Sequence, residues 1–422
     1  MEKIIKVFDE NKYHYFPIFI ISFFPVLFFF GSGVVNFFII VLDIIFLFEI
    51  ILKKKTHVLN NIFFYLFVIF WLILLVNLLF SINVNNSLGR SIGFIRFTIF
   101  VFAINYFINF ENQKYRKIIF NFWTIIFLVI SFDLIYEFIF GQNILGFRSN
   151  MPGRLSSFFN DELKIGHLYS ALIFIILSNL FSFKKNNSNI KKFFFNYIDY
   201  FLILSFLIIA FIIGERSNFL KILIILPIFV ILVKKLNLLK KLIFLVSFLL
   251  VIFTISASNE IYKIRFWNRL IKPIIYNPIN FLNNTRYGQH YSVAIDVFKN
   301  NKLYGVGLKN YREEVKKDIY KNDSSRKRMA SIHPHQVHFE FLSELGLIGY
   351  VYFIIFFLIT IQISLKNYLK NKDNFQLSAL LFVTVSLIPL IPSGSFFTTY
   401  SAALFWLNFS IMMPSIIKNK AK

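Results

Sequence analysis

Between His333 and Tyr350 the chain reads HPHQVHFEFLSELGLIGY, three histidines followed by two glutamates and an apolar run. Imidazole is the side chain whose protonation changes nearest neutral pH, so proton transfer or ligation is sought here first. Titratable groups followed by a long apolar stretch place that chemistry at the water-facing end of a helix entering a membrane. His335 and Gly346 are eleven residues apart, about three turns at roughly 100° per residue, so an unbroken helix would put them on one face. The glycine would then leave room beside the imidazole. A metal site from His333, His335 and His338, with Glu340 and Glu344 nearby, is one reading. A helix start carrying polar side chains is the other, because Pro334 suits a first helical turn.

Cations capable of holding an anion recur on the same side of the apolar runs. GERSN, Gly214 to Asn218, is the whole connection between two such runs and leaves Glu215 and Arg216 at the membrane boundary. A charge there must be paired or solvated, and the planar guanidinium fork suits phosphate oxygens. Snorkelling, or pairing with Glu215, is the plainer reading of Arg216. Arg286 opens RYGQHYSVAIDVFKNN, where Val293, Val297 and Phe298 indicate a short amphipathic helix. KLYGVGLKNY then supplies a turn at Gly305 and Gly307, with Asn310 placed to cap the next helix. GVGLKN lacks the third glycine and the βαβ setting of a nucleotide fingerprint. Two polar loops of the first half add Arg90, at the end of SINVNNSLGR, and Arg148, Arg154, Asp161, Glu162 and Lys164, between Gly141 and Gly166. Arg96, Asp133 and Glu137 lie inside apolar runs and are expected to neutralise one another across helices.

Helices in lipid must position all of this. Hydrophobic residues make up 57% of the 422, with 60 phenylalanines, far from the mix of a soluble domain. Runs near Tyr15 to Phe30, Val34 to Leu52, Asn60 to Phe80, Ser91 to Phe110, Ile118 to Phe140 and Gly166 to Phe183 approach the ~20 residues that cross a bilayer core. Six more come after these, near Ile198 to Ile213, Phe219 to Val233, Leu242 to Ser256, Gly346 to Leu365, Phe375 to Ile391 and Phe396 to Ile416. The expected fold class is therefore an all-α polytopic membrane protein of about 12 transmembrane helices. A large, mainly helical loop joins helices nine and ten. This divides the chain into a membrane region, 1–256, an outer loop with the histidine motif, 257–345, and a second membrane region, 346–422.

Every even-numbered connection is basic: Lys53 to Lys55, Lys114 to Lys117, Lys184 to Lys192, Lys234 to Lys241, Lys366 to Lys372, and the end at Lys418, Lys420 and Lys422. The positive-inside rule makes these connections and both termini cytoplasmic, and the histidine loop periplasmic. The net charge of +24 mostly reflects these lysines facing anionic lipid, so nucleic acid need not be invoked. The outer loop from Ala257 to His338 carries fifteen Lys and Arg against six Asp and Glu, an excess that suits an anionic ligand or an anionic lipid surface. The first apolar run comes after Lys3 and Lys6 as a signal peptide would, but no A-x-A-like site comes after it. With no cysteine, disulfides and thiolate metal sites are excluded.

GERSN after a span, TRYGQHYSVAIDVFKNNKLYGVGLKNY led by an arginine, and HPHQVHFEFLSELGLIG at the end of one large outer loop together resemble the bacterial O-antigen ligase and O-antigen polymerase superfamily. The most specific piece is similar to H-x-H-N…E-x-G-x-x-G, carried here by His335, Gly346 and Gly349, with Gln336 where Asn is usual and His290 where an aromatic is frequent. The resemblance implies a glycosyltransferase C-like helical bundle with a periplasmic active site. It implies a polyprenyl diphosphate donor, of the undecaprenyl kind, carrying a glycan. Arg216 and Arg286 would bind the diphosphate, and His335 would orient or deprotonate the acceptor for inverting attack without metal or other cofactor. His333, His338, Gly346, Arg154, Arg90 and Glu215 would support the site. A ligase would use lipid A-core as acceptor in lipopolysaccharide biosynthesis, and a polymerase a second lipid-linked repeat unit. The span count and the charges within spans also fit a glycolipid transporter or flippase.

Overall fold

The computed structural model describes residues 12–110, 114–185, 192–233, 246, 249–250, 253–254, 257, 259–276, 285–320 and 331–417. Every regular element among them is helical. The first half holds α1 (Lys12–Leu27), α2 (Ser32–Leu52), α3 (Ile62–Leu78), α4 (Val84–Gly93), α5 (Ile95–Asn109) and α6 (Lys114–Phe140). It continues with α7 (Ile165–Lys185), α8 (Lys192–Ile212) and α9 (Arg216–Val233). After a helical stretch with a π-helical middle, Lys263–Ile271, come α10 (Arg286–Asn300), α11 (Val337–Asn371), α12 (Asn374–Ser386) and α13 (Thr399–Met412).

Six helices among the described residues are long and apolar enough to cross a membrane, and four more apolar helices are shorter. The described residues thus hold ten of the expected twelve apolar helices, and the ninth run, Leu242 to Ser256, falls largely outside them. Two boundaries move for physical reasons. The fourth span starts earlier, because α4 and α5 form one apolar unit from Val84 to Asn109. The last two separate, because α12 stops at Ser386 and α13 starts at Thr399, leaving the proline-bearing stretch 387–398 non-helical. Pro389 and Pro392 lack the N–H that a continuing helix would use.

Phenylalanine fills the centre. Trp406 is fully buried with its ring centroid 5.1 Å from Phe67, 5.7 Å from Phe94 and 5.6 Å from Phe396. The tilted rings of Phe341 and Phe353 lie 4.1 Å apart, tying the first turns of α11 to its membrane half. Edge and tilted ring pairs of this kind add to simple area burial. Phe19, Phe37, Phe48 and Phe132 remain exposed on the outside, as a surface against lipid requires.

Among the described residues, three of the basic connections, 53–55, 114–117 and 366–373, lie at one end of the bundle. Arg116, opening α6, forms a 2.6 Å pair with Asp373 ahead of α12. Lys55 donates to Tyr106 Oη at 3.2 Å, and Asn105 Nδ2 donates to the Ser410 carbonyl at 2.8 Å. At the other end, the turn 302–310 is wedged between the α3–α4 connection and α11. Asn77 Nδ2 donates to the Tyr304 carbonyl, Ile82 N to Val306 O at 3.1 Å, and Ser87 Oγ to Leu308 O at 2.8 Å. The described part of the histidine-bearing loop is therefore docked on the bundle.

Candidate functional site

The histidine run does not begin a continuous helix. Gln336 is the N-cap of α11, its side chain accepting from His338 N at 2.7 Å and Phe339 N at 3.2 Å. His335 lies outside the helix with φ +59°, in the left-handed region that L-residues avoid. Gly346 has φ +66° and interrupts α11. The expected shared helix face is thus overturned: His335 precedes the helix, and Gly346 breaks it. The break is filled by the turn after α10. Val306 N donates to Ser343 O at 3.0 Å and Gly307 N to Glu344 O at 2.8 Å, while Leu347 N donates to Lys302 O at 2.8 Å. These bonds satisfy backbone groups that the kink frees. A Cβ on Gly346 would lie 2.4 Å from Leu303 O and 2.5 Å from Gly305 N. Its missing side chain makes room for that backbone, not for the histidines.

His335 joins three aromatic neighbours. Its ring centroid is 4.0 Å from His333, 4.8 Å from His290 and 6.2 Å from Tyr287, and its Nε2 is 3.0 Å from Ser331 Oγ. His290, noted in the sequence as a departure at an aromatic position, is buried within this group. The supports come from α10, which Thr285 caps by accepting from Gly288 N at 3.1 Å. Burial, then the neighbouring His333, His290 and Arg286, pushes His335 down from 6.5 to about 3. Burial, then His290, Arg90 and Arg312, pushes His333 down to about 4. Both imidazoles are accordingly neutral at ordinary pH. Arg286 and Arg90 thus both reach this group electrostatically, as does Arg312, which the motifs did not single out. A guanidinium beside GVGLKNY was the signal that could have found it.

His338 points elsewhere. Its Nε2 is 2.7 Å from Leu387 O and its Nδ1 3.1 Å from Tyr350 Oη. One nitrogen donating and the other accepting describes a neutral imidazole bracing α11 against the 387–398 segment. The three-histidine metal reading fails on this geometry, since both His338 nitrogens are already used.

A second group forms around GERSN. Glu215 lies 3.2 Å from His167 Nε2 and 3.4 Å from Arg154 Nη2. The turn is clamped by Leu155 N donating to Ile213 O at 3.1 Å and Arg265 Nη2 donating to Gly214 O at 2.9 Å. Arg216 opens α9 with Nη1 3.5 Å from the Arg265 carbonyl. Neither His167 nor Arg265 was anticipated; one begins an apolar run and the other sits in a stretch without a motif.

The expected neutralisation among Arg96, Asp133 and Glu137 is also corrected. Arg96 has Asp43 of α2 as its acidic neighbour. Glu137 accepts from Ser156 N at 3.0 Å and Ser157 N at 2.7 Å, while Asp133 accepts from Ile144 N at 2.9 Å. This acidic pair pins the loop that carries Arg154. Asn310 stands at the N-cap of Tyr311–Glu314, yet its Nδ2 donates instead to Asn83 O at 3.0 Å and Ser87 Oγ at 3.1 Å.

One cavity is lined by His167 of the second group and by Val337 and Ser393, which adjoin His335. Asn218, Lys221 and Gly394 line it as well. Ser393 N donates to the His335 carbonyl at 2.8 Å, and Ser395 Oγ and Phe396 N both donate to Glu340. The 387–398 segment therefore joins the histidine loop to the wall of the cavity. Irregular backbone at such a place is tolerated where protein or water surrounds it.

Residues 201–354 match the family model described as O-antigen ligase. The matched stretch includes Glu215, Arg216, Arg286, His290, His333, His335 and His338. No curated protein matches the chain. The match supports the O-antigen ligase and polymerase superfamily for this chain. With the apolar helices it supports a multi-pass membrane protein of the glycosyltransferase-like kind, consistent with an enzyme acting on lipid-linked glycans.

Proposed function

We propose that the protein is an inverting, metal-independent glycosyltransferase that moves a glycan from a polyprenyl diphosphate carrier to an acceptor at the periplasmic face of the inner membrane. Both termini are cytoplasmic, as the lysine-rich connections require. The acceptor of the ligase reaction is lipid A-core. The observation that supports the reading is a cavity lined by His167, which contacts Glu215, and by Ser393, whose N–H donates to the His335 carbonyl.

Breaking a glycosyl phosphate bond requires that negative charge building on the leaving diphosphate be met by cations. Arg216 and Arg286, each opening a helix, meet it with guanidinium forks, and Arg90 and Arg312 add positive potential beside the histidines. His335 is held neutral by burial and by cationic neighbours, so it serves as a hydrogen-bond partner that orients the acceptor hydroxyl. The acceptor oxygen attacks the anomeric carbon as that carbon's bond to the diphosphate oxygen breaks; the hydroxyl proton passes to the neutral His335 ring and on to water, and the electron pair of the broken bond leaves with the diphosphate.

The test is purified protein in detergent or nanodiscs with lipid-linked glycan, EDTA, and either lipid A-core or a second lipid-linked repeat. A single larger conjugate on lipid A-core is expected. A ladder of lipid-linked products would instead assign the polymerase reaction, and carrier movement without glycan transfer would assign transport.

A further inference from the structure

Lys221 is a cation set inside the bundle. It lies within α9, five residues past Arg216, about 7.5 Å further along the helix at roughly 1.5 Å per residue, and it is 5% exposed. Its acidic neighbour is Glu215, but the ion pairs of that carboxylate go to Arg154 and His167. Among the described residues no hydrogen bond or ion pair holds Lys221 itself. A lysine buried within a membrane helix is costly unless an anion or solvent meets it.

The cavity that Lys221 lines is furnished with donors. Asn218, three residues earlier on the same face of α9, is 2% exposed. Its Oδ1 accepts from Ser170 Oγ at 3.4 Å, which leaves the amide Nδ2 without a partner. The buried hydroxyls of Ser386, at the end of α12, and Ser393, in the connection after it, have none either. All four groups line the same cavity, and among the described residues no carboxylate does. Phe382, Leu404 and Phe405 supply apolar walls, against which a hydrogen bond to a charge is stronger than in water.

One ammonium, one amide N–H and two hydroxyls around a space free of acids match the oxygens of a phosphate. A neutral ligand bearing hydroxyls would satisfy the amide and the two serines but leave the ammonium without a counter-charge. The depth of Lys221 selects between the two phosphates of a carrier. Arg216 opens α9 at the membrane boundary, and Lys221 lies more than one turn further in. In a polyprenyl diphosphate the phosphate bonded to the isoprenoid is the one nearer the lipid, and the other bears the glycan.

We propose that this cavity is a phosphate subsite in which Lys221, with Asn218 Nδ2 and the Ser386 and Ser393 hydroxyls, holds the lipid-proximal phosphate of the donor, an assignment that rests on the transfer reading above. Ser393 then serves both halves of the reaction. Its hydroxyl meets the carrier's phosphate and its N–H holds the His335 carbonyl, so a carrier seated in the cavity is in register with the imidazole.

The experiment measures Kd on full-length protein in nanodiscs for polyprenyl monophosphate, polyprenyl diphosphate, uncharged polyprenol and inorganic pyrophosphate. Wild-type protein is expected to bind both polyprenyl phosphates about tenfold or more tightly than polyprenol or inorganic pyrophosphate. Lys221→Met is expected to raise Kd for both polyprenyl phosphates about tenfold or more, as loss of a charged hydrogen-bond donor does, with polyprenol within twofold of wild type. Lys221→Met that leaves both within twofold, or that weakens polyprenol equally, overturns the subsite. A loss confined to the diphosphate overturns the lipid-proximal assignment, and inorganic pyrophosphate binding as tightly as polyprenyl diphosphate overturns the carrier as the ligand. If Lys221→Met is not monodisperse, Asn218→Asp decides: its carboxylate should occupy the ammonium, repel phosphate and raise the same two Kd values about tenfold, and unchanged values overturn the subsite. Wild-type protein that shows the expected binding but never transfers glycan overturns the transfer reading and leaves the phosphate subsite standing.

Discussion

The N–H of Ser393 donates to the carbonyl of His335 at 2.8 Å, linking a residue in the α12–α13 connection to one 58 positions earlier in the chain. His335 adopts a left-handed backbone that costs roughly 1–2 kcal/mol for an L-residue. The bond from Ser393 and the rings of His333 and His290 hold it there. Backbone strain of this sort persists only where surrounding contacts over-determine it.

His335→Ala and His338→Ala should separate cleanly. His338 is engaged at both nitrogens, with Leu387 O and Tyr350 Oη, so its loss should lower the melting temperature by several degrees, with donor KM little changed. His335→Ala should leave the melting temperature nearly unchanged and reduce glycan transfer at least 100-fold. A scan of thermal stability beside an activity assay reads both.

Gly346→Ala should be severe. The substitution forces φ +66° on an alanine and puts its Cβ 2.4 Å from Leu303 O, so the 302–307 turn must move and the bonds across the break weaken. We expect a loss of about 3 kcal/mol or more from strain and lost hydrogen bonds together, seen as a large drop in monodisperse yield. Gly349→Ala is the comparison without left-handed backbone strain, although its Cβ would come 2.4 Å from the Leu345 Cβ and should itself cost stability.

Stability should fall with acid through the histidine group. His333 and His335 are depressed in the fold, to about 4 and about 3, from 6.5, so between those values the unfolded chain binds more protons than the native one. Their contribution is fully present above about pH 6.5 and is lost progressively as pH falls toward 4 and 3. Melting temperatures measured from pH 7.5 to 4.5 should decline, and His333→Gln with His335→Gln should flatten that decline.

Arg286→Ala should raise donor KM strongly, and Arg286→Lys should recover little, because an ammonium cannot reproduce the two-pronged guanidinium contact. Full transfer activity in either variant would remove Arg286 from the donor site.

Glu137→Gln tests the loop anchor. The carboxylate accepts from two backbone N–H groups and the Ser156 hydroxyl, charge-assisted bonds worth about 1.5–3 kcal/mol each when buried. The variant should destabilise the protein by about 2–4 kcal/mol and make the 141–159 loop more accessible to protease.

The amino-acid sequence by itself determined that the chain is helical and spans a membrane, because Phe-rich apolar runs have no other way to satisfy their backbone in lipid. It also marked the residues with chemistry: GERSN, Arg286 and the histidine run stand out as polar groups in an apolar chain. Where those residues meet was decided only by tertiary structure. His335 sits off the helix, Gly346 breaks it to admit the 302–307 turn, and Glu215 turns to His167 and Arg154. These partners lie far apart in the chain or in segments without periodicity, and local spacing carries no information about contacts made across a fold.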